Sequence, residues 1–258
     1  NLLGVNIKPS VLSVNDLSLG YHAKTVVDEV SFDLALGDVL AVVGHNGSGK
    51  STLVKTLLET MPPLAGTIDW PTGRPQPIAY LGQRTEFDYR FPVRVRDVVA
   101  MGAWPSLGFL GRIDSTCRDK INSALERTGI TDIADMPLQK LSSGQLQRAL
   151  FARTMVQDAR LILLDEPFTA IDQTTEAALM KLVDEWATEE RTIVLVLHDL
   201  SAVLQHCTSV LLLGGGRALF GTPKETLTPE KLIAYRYLTE SQAAWIENMY
   251  LQSKPDYV

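Results

Sequence analysis

The stretch VLAVVGHNGSGKST, residues 39–52, constrains this chain more than any other. Five consecutive apolar residues, Val39 to Val43, suit a strand buried on both faces. Gly44, His45, Asn46, Gly47, Ser48, Gly49, Lys50, Ser51 and Thr52 then fit G-x-x-x-x-G-K-[ST], and helical sequence runs from about Gly49 to Thr60. Pro62 and Pro63 stop it. Strand, loop and helix in that order are the context in which this motif cradles phosphate. The glycines let successive N–H groups turn inward, and the helix N-terminus adds partial positive charge. Lys50 supplies a full charge for the β- and γ-phosphates, and the Ser51 hydroxyl a ligand for Mg²⁺.

The rest of the chain supplies a sheet for that loop. Residues 11–36 read as short strands with turns at Gly20 and Gly37. Further strands are expected at Ile78–Leu81, Leu161–Leu164, Thr192–Leu197 and Ser209–Leu213, with helices at Arg118–Thr128, Gly144–Gln157, Gln173–Thr188 and from Asp199. Strand and helix alternate, which predicts an α/β fold: a P-loop core of mainly parallel sheet flanked by helices, with an N-terminal antiparallel β part. The helix-rich stretch 84–157 interrupts the alternation and reads as an inserted helical subdomain, giving one domain over 1–238 and a helical tail over 239–258 with Trp245, Met249 and Tyr250 in one stripe.

Two carboxylates close the run LILLDEP. Ligands in open α/β sheets bind at the C-terminal ends of strands, where Asp165 can hold Mg²⁺ and Glu166 can polarise an attacking water. A second anion-binding feature is the string Leu141, Ser142, Ser143, Gly144, Gln145 opening a helix, with Ser142 and Ser143 suited to the N-cap.

These strings together resemble the ATP-binding cassette family, whose signature is LSGGQ-like; Ser143 stands here for a glycine. Tyr21, 23 residues before Gly44, matches the aromatic that this family stacks on adenine. Gln83 matches the loop glutamine that senses Mg²⁺ and the lytic water; Asp172, ending PFTAID, matches the D-loop; His198 matches the switch histidine on the γ-phosphate. The resemblance covers about residues 11–238 and implies ATP and Mg²⁺ as ligands. It gives Glu166, His198, Gln83 and Lys50 the catalytic roles, and Ser51, Gln83 and Asp165 the Mg²⁺. It also implies a head-to-tail dimer, each ATP lying between the loop 44–52 of one copy and the serine-glycine helix tip of the other.

A finer resemblance lies after Gln83. Gln83, Arg84, Asp88, Phe91, Pro92, Val93, Asp97, Val98, Val99 and Gly102 are similar to the branch serving importers of manganese, zinc or iron, with Arg94 where a threonine usually caps the helix. That branch implies a separate polytopic permease, an extracytoplasmic solute-binding protein, and a place at the cytoplasmic face of the inner membrane. Importers of iron chelates or haem, and a soluble assembly ATPase of the same family, are the competing expectations.

Composition narrows the field. A formal net charge of -6 argues against a nucleic-acid partner. The two cysteines show no metal-ligand spacing and no disulfide framework. The apolar runs fall short of the roughly 20 residues a membrane span needs, and NLLGVNIKPS lacks a basic, long-apolar leader, so the expectation is a chain neither secreted nor spanning.

Overall fold

The computed structural model describes residues 8–82, 93–107, 113–239 and 241–242. In chain order the elements begin with β1 (Ser10–Tyr21), β2 (Lys24–Ala35), β3 (Val39–Gly44), α1 (Lys50–Leu57), β4 (Ala65–Asp69) and β5 (Ile78–Leu81). Next come α2 (Val95–Ala100), α3 (Trp104–Leu107), α4 (Ser115–Arg127), α5 (Ser143–Val156), β6 (Leu161–Asp165), α6 (Gln173–Thr188) and β7 (Thr192–Val196). The chain continues through α7 (Leu200–His206), β8 (Ser209–Gly214), β9 (Arg217–Gly221), α8 (Pro223–Thr226) and α9 (Pro229–Ala234). The described residues in 8–11, 35–39 and 72–196 form one compact unit; those in 12–34, 40–71 and 197–242 form another.

The first unit is built on β5, β6 and β7, paired in parallel with Tyr80 beside Leu163 and Leu163 beside Val194. All five residues of β6 and all five of β7 are buried, as a parallel strand covered on both faces requires. Their continuous apolar runs have no period of two because neither face meets water. Helix α5 supplies Phe151, whose ring stacks on Trp186 of α6 at 5.7 Å and on Phe168 at 6.0 Å. Gly102 lets the end of α2 approach this helix closely: a Cβ there would stand 2.2 Å from the Arg153 carbonyl.

The second unit joins β3, β8 and β9, β3 parallel and β9 antiparallel to β8, with the antiparallel sheet β2-β1-β4. Here the sequence expectation needs correction. Gly20 does not turn the chain; it lies inside β1, where a Cβ would stand 2.0 Å from the Lys24 carbonyl. The reversal falls on His22 and Ala23, both at positive φ (47° and 62°). A two-residue hairpin demands that backbone, but neither residue type announces it. The turn expected at Gly37 is present, at φ 76°. Strands β4 and β9 were not anticipated, and both are antiparallel partners with exposed positions and mixed polarity.

Candidate functional site

The phosphate-binding motif lies in the second unit, between β3 and α1. Gly49 sits at φ 104°, a conformation open to glycine, and a Cβ there would meet Val27 Cγ2 at 2.5 Å. Lys50, 6% exposed, opens α1. Its ammonium donates to the Gly44 carbonyl at 2.7 Å and to the His45 carbonyl at 3.2 Å. The loop therefore wraps around its own cation. Ser48 is also buried, and among the described residues its Oγ meets no hydrogen-bond partner. Asn46, Gly47 and Ser51 are exposed around this centre, and nothing lies within 4 Å of a Cβ built on Gly47. A buried ammonium, an orphaned hydroxyl and an open rim of backbone fit an anion with several oxygens.

Tyr21, at the end of β1, is 42% exposed, and its hydroxyl accepts a hydrogen bond from Thr52 Oγ1 at 3.2 Å. The side chain is thus tied to the residue that ends the loop motif while remaining partly exposed. His198 follows a short stretch after β7, with its side chain exposed. The Leu197 N–H donates to the Val42 carbonyl at 3.3 Å, so the histidine loop is tied to the strand that feeds the phosphate loop. Asp199 caps α7 by accepting from the Ser201 N–H at 2.8 Å, and the Tyr237 hydroxyl donates to the His198 carbonyl at 2.8 Å.

The first unit carries the acidic strand end and the signature. Asp165, 5% exposed, ends β6, and Glu166 adopts φ 51°. A non-glycine residue in the left-handed region costs about 1 kcal/mol, and it turns the Glu166 side chain away from the line of the strand. Burial, and then the Asp165 carboxylate, push the Tyr80 phenol up. In α5, Ser142 Oγ accepts from the Gln145 N–H at 3.2 Å while Gln145 Oε1 accepts from the Ser142 N–H at 3.0 Å. This reciprocal cap on Ser142 fixes the helix start at Ser143. Ser142 and Ser143 are exposed. Gly144 is buried, and a Cβ on it would lie 3.2 Å from Thr175 Oγ1 and 3.5 Å from Asp172 Oδ2. Asp172 caps α6, accepting from the Thr175 N–H at 2.9 Å and the Thr175 hydroxyl at 2.8 Å, and these bonds hold its carboxyl below the usual range. The structure thus brings two sequence-flagged motifs together: the helix tips at 142 and 172 lie side by side, each satisfied by its own side chains. Leu141 leads into the pair in extended conformation.

Gln83 lies outside the described residues, as do Arg84, Asp88, Phe91, Pro92 and the tail residues Trp245, Met249 and Tyr250. Of the finer pattern, Val98 and Val99 are buried in α2, and Arg94 occupies its N-cap position without a side-chain bond; there its N–H donates to Asp97 Oδ2 at 3.0 Å. Sequence reading passed over Thr175, Tyr80 and Tyr237. A D-x-x-T pattern at a helix start marks Thr175, but nothing local marks the other two.

Residues 27–169 match the family described as ABC transporter. The chain is 36% identical over 225 residues to the manganese transport system ATP-binding protein MntB of Listeria monocytogenes, spanning 86% of this chain and 94% of that one. The chain belongs to the ABC transporter family. It is 37% identical over 207 residues to the zinc transport system ATP-binding protein TroB of Treponema pallidum, covering 78% and 77% of the two. A structure described as a metal-chelate type ABC transporter, in an inward-facing conformation, superposes with a TM-score of 0.80 at 32% identity, over 89% of this chain and 90% of that one. CbiO1 of Clostridium perfringens, part of the ABC transporter complex cbiONQ, gives 0.72 at 27% identity over 93% and 100%. This ABC chain is accordingly a nucleotide-binding, ATP-hydrolysing transporter subunit with the expected P-loop fold. Among the described residues no helix is long and apolar enough to cross a membrane.

Proposed function

We propose that this ABC subunit powers import of a divalent metal ion, manganese, zinc or iron, through a separate polytopic permease at the cytoplasmic face of the membrane, with an extracytoplasmic solute-binding protein delivering the ion. The names of its relatives support the metal, and the solved metal-chelate transporter keeps iron-chelate or haem import as the second reading. The observation that carries the mechanism is the buried Lys50 ammonium held by loop carbonyls at the N-terminus of α1. From there it reaches the β- and γ-phosphates of ATP, with backbone N–H groups of residues 44–52 around it and the Tyr21 ring on adenine.

Oxygen donors alone, from Ser51, Asp165 and Gln83, suit Mg²⁺, which takes hard ligands and keeps waters and phosphate oxygens in its shell. When bound, the ion neutralises charge on the phosphates. Glu166 orients and deprotonates the attacking water, and His198 and Gln83 position the γ-phosphate and that water. Phosphoryl transfer rests on such positioning and charge neutralisation. The exposed Ser142 and Ser143, ahead of Gly144 and Gln145, present a preformed helix N-terminus to the γ-phosphate held by a second copy, with Asp172 next to it. Loss of the γ-phosphate removes that link, and the dimer opens.

Glu166→Gln tests this. The variant is expected to bind ATP, to lose hydrolysis, and to run as a dimer by size-exclusion chromatography in ATP. Wild-type hydrolysis by Glu166→Gln would refute the base assignment. Metal uptake into vesicles containing the permease and this subunit, driven by lumenal or external ATP according to orientation, separates ion import from chelate import.

A further inference from the structure

We propose that Tyr237 is a positioning residue for His198: the segment 235–237 holds the histidine loop and thereby sets the hydrolysis rate. This rests on the role of His198 proposed above.

The loop 197–199 lies outside the strand ladder, so its backbone groups need other partners. It has three ties. The Leu197 N–H donates to Val42, Asp199 caps α7, and the His198 carbonyl accepts from the Tyr237 hydroxyl at 2.8 Å. The first two act on the residues to either side of His198. The third acts on the carbonyl of His198 itself.

Tyr237 is itself built into place. Helix α9 ends at Ala234 with Tyr235 as its C-cap, and Arg236 at φ 57° reverses the chain. The N–H groups of Tyr237 and Leu238 both donate to the Leu232 carbonyl, at 2.8 and 3.2 Å. Tyr235 is pressed onto the β8–β9 hairpin. A Cβ on Gly214 would stand 1.7 Å from its carbonyl oxygen, the Arg217 guanidinium lies 5.2 Å from its ring centroid, and its hydroxyl donates to Ala218 at 3.4 Å. The hydroxyl of Tyr237 therefore meets His198 from a fixed base. Burial and the neighbouring Asp199 carboxylate push the Tyr237 phenol up, which keeps it a donor at neutral pH.

The test is steady-state ATPase of the full chain as wild type, Tyr237→Phe and His198→Ala, with the melting temperature of each. Phenylalanine keeps the ring and removes one neutral hydrogen bond. The expected result is kcat lowered about fivefold, KM for ATP changed less than about twofold, and an unchanged melting temperature. Hydrogen exchange at the amides of 198–200 is expected to quicken in Tyr237→Phe. Wild-type kcat in Tyr237→Phe, with His198→Ala inactive, overturns the positioning role and leaves the role of His198 standing. Wild-type kcat in His198→Ala overturns both. A fall in kcat matched by a fall in melting temperature, or unchanged exchange at 198–200, assigns Tyr237 a purely structural part and also overturns the proposal.

Discussion

Replacing Ser48 by alanine is predicted to raise the stability of the nucleotide-free protein and to weaken its response to ATP. Ser48 is 5% exposed, and its Oγ is buried without a hydrogen-bond partner among the described residues. A Cβ on Gly44 would stand only 2.3 Å from that oxygen, so the space beside it is tight. A buried hydroxyl left without a partner costs about 1–3 kcal/mol. Deleting one oxygen leaves a void of roughly 10 Å³, worth about 0.2 kcal/mol. The balance is a gain of about 1 kcal/mol, or about 3 °C in melting temperature for a chain of this size. Most substitutions destabilise by a similar amount, so the sign discriminates. In the proposed ATP complex the hydroxyl would find a charged acceptor. Losing that bond should weaken ATP about tenfold. At ATP near 100 times the wild-type Kd, the ligand-induced stabilisation then falls from about 2.7 kcal/mol to about half of it. Differential scanning fluorimetry with and without Mg²⁺-ATP reads both effects. A lower melting temperature for nucleotide-free Ser48→Ala, or an undiminished ATP shift, refutes the reasoning.

Trp186→Ala removes a side chain only 1% exposed and its stack on Phe151; it is expected to cost about 3–5 kcal/mol and lower the melting temperature by about 10 °C. Asp172→Asn exchanges a carboxylate whose ionisation is favoured by two bonds from Thr175. Because the folded value is depressed, the stabilisation is present above the ordinary aspartate range, near pH 4, and is lost as pH falls through the folded value. Melting curves of wild type and variant should therefore differ at pH 7 and converge in acid, while a constant gap contradicts the assignment. Gly214→Ala drives a methyl into the Tyr235 carbonyl, with an expected cost of about 1–3 kcal/mol read by urea unfolding; full wild-type stability would mean that the segment is not seated there.

What the sequence made legible is what local chemistry dictates. The loop 44–52, the buried strands β6 and β7 and the cap at Ser142 each advertise themselves by residue type and spacing. Helix α6 spans Gln173–Thr188, as its periodicity predicts, between an aspartate cap and a left-handed Glu190. Less was legible where the backbone does something its residues do not favour. The β1–β2 reversal uses His22 and Ala23 at positive φ, and Glu166 leaves β6 in the same region. Contacts made over long separations were also silent. Phenol 237 reaching carbonyl 198 spans 39 residues, and neither carries a pattern that names the other.

The close approach at Gly214 gives the far end of the chain a mechanical role. Gly214 ends β8, where its neighbour Leu213 pairs with Gly44 and presents a carbonyl 2.5 Å from any Cβ placed there. The seat of residue 235 is thus one residue along β8 from the partner of the first glycine of the phosphate cradle. A substitution that unseats residue 235 is therefore expected to be felt in the strand that leads into the phosphate cradle.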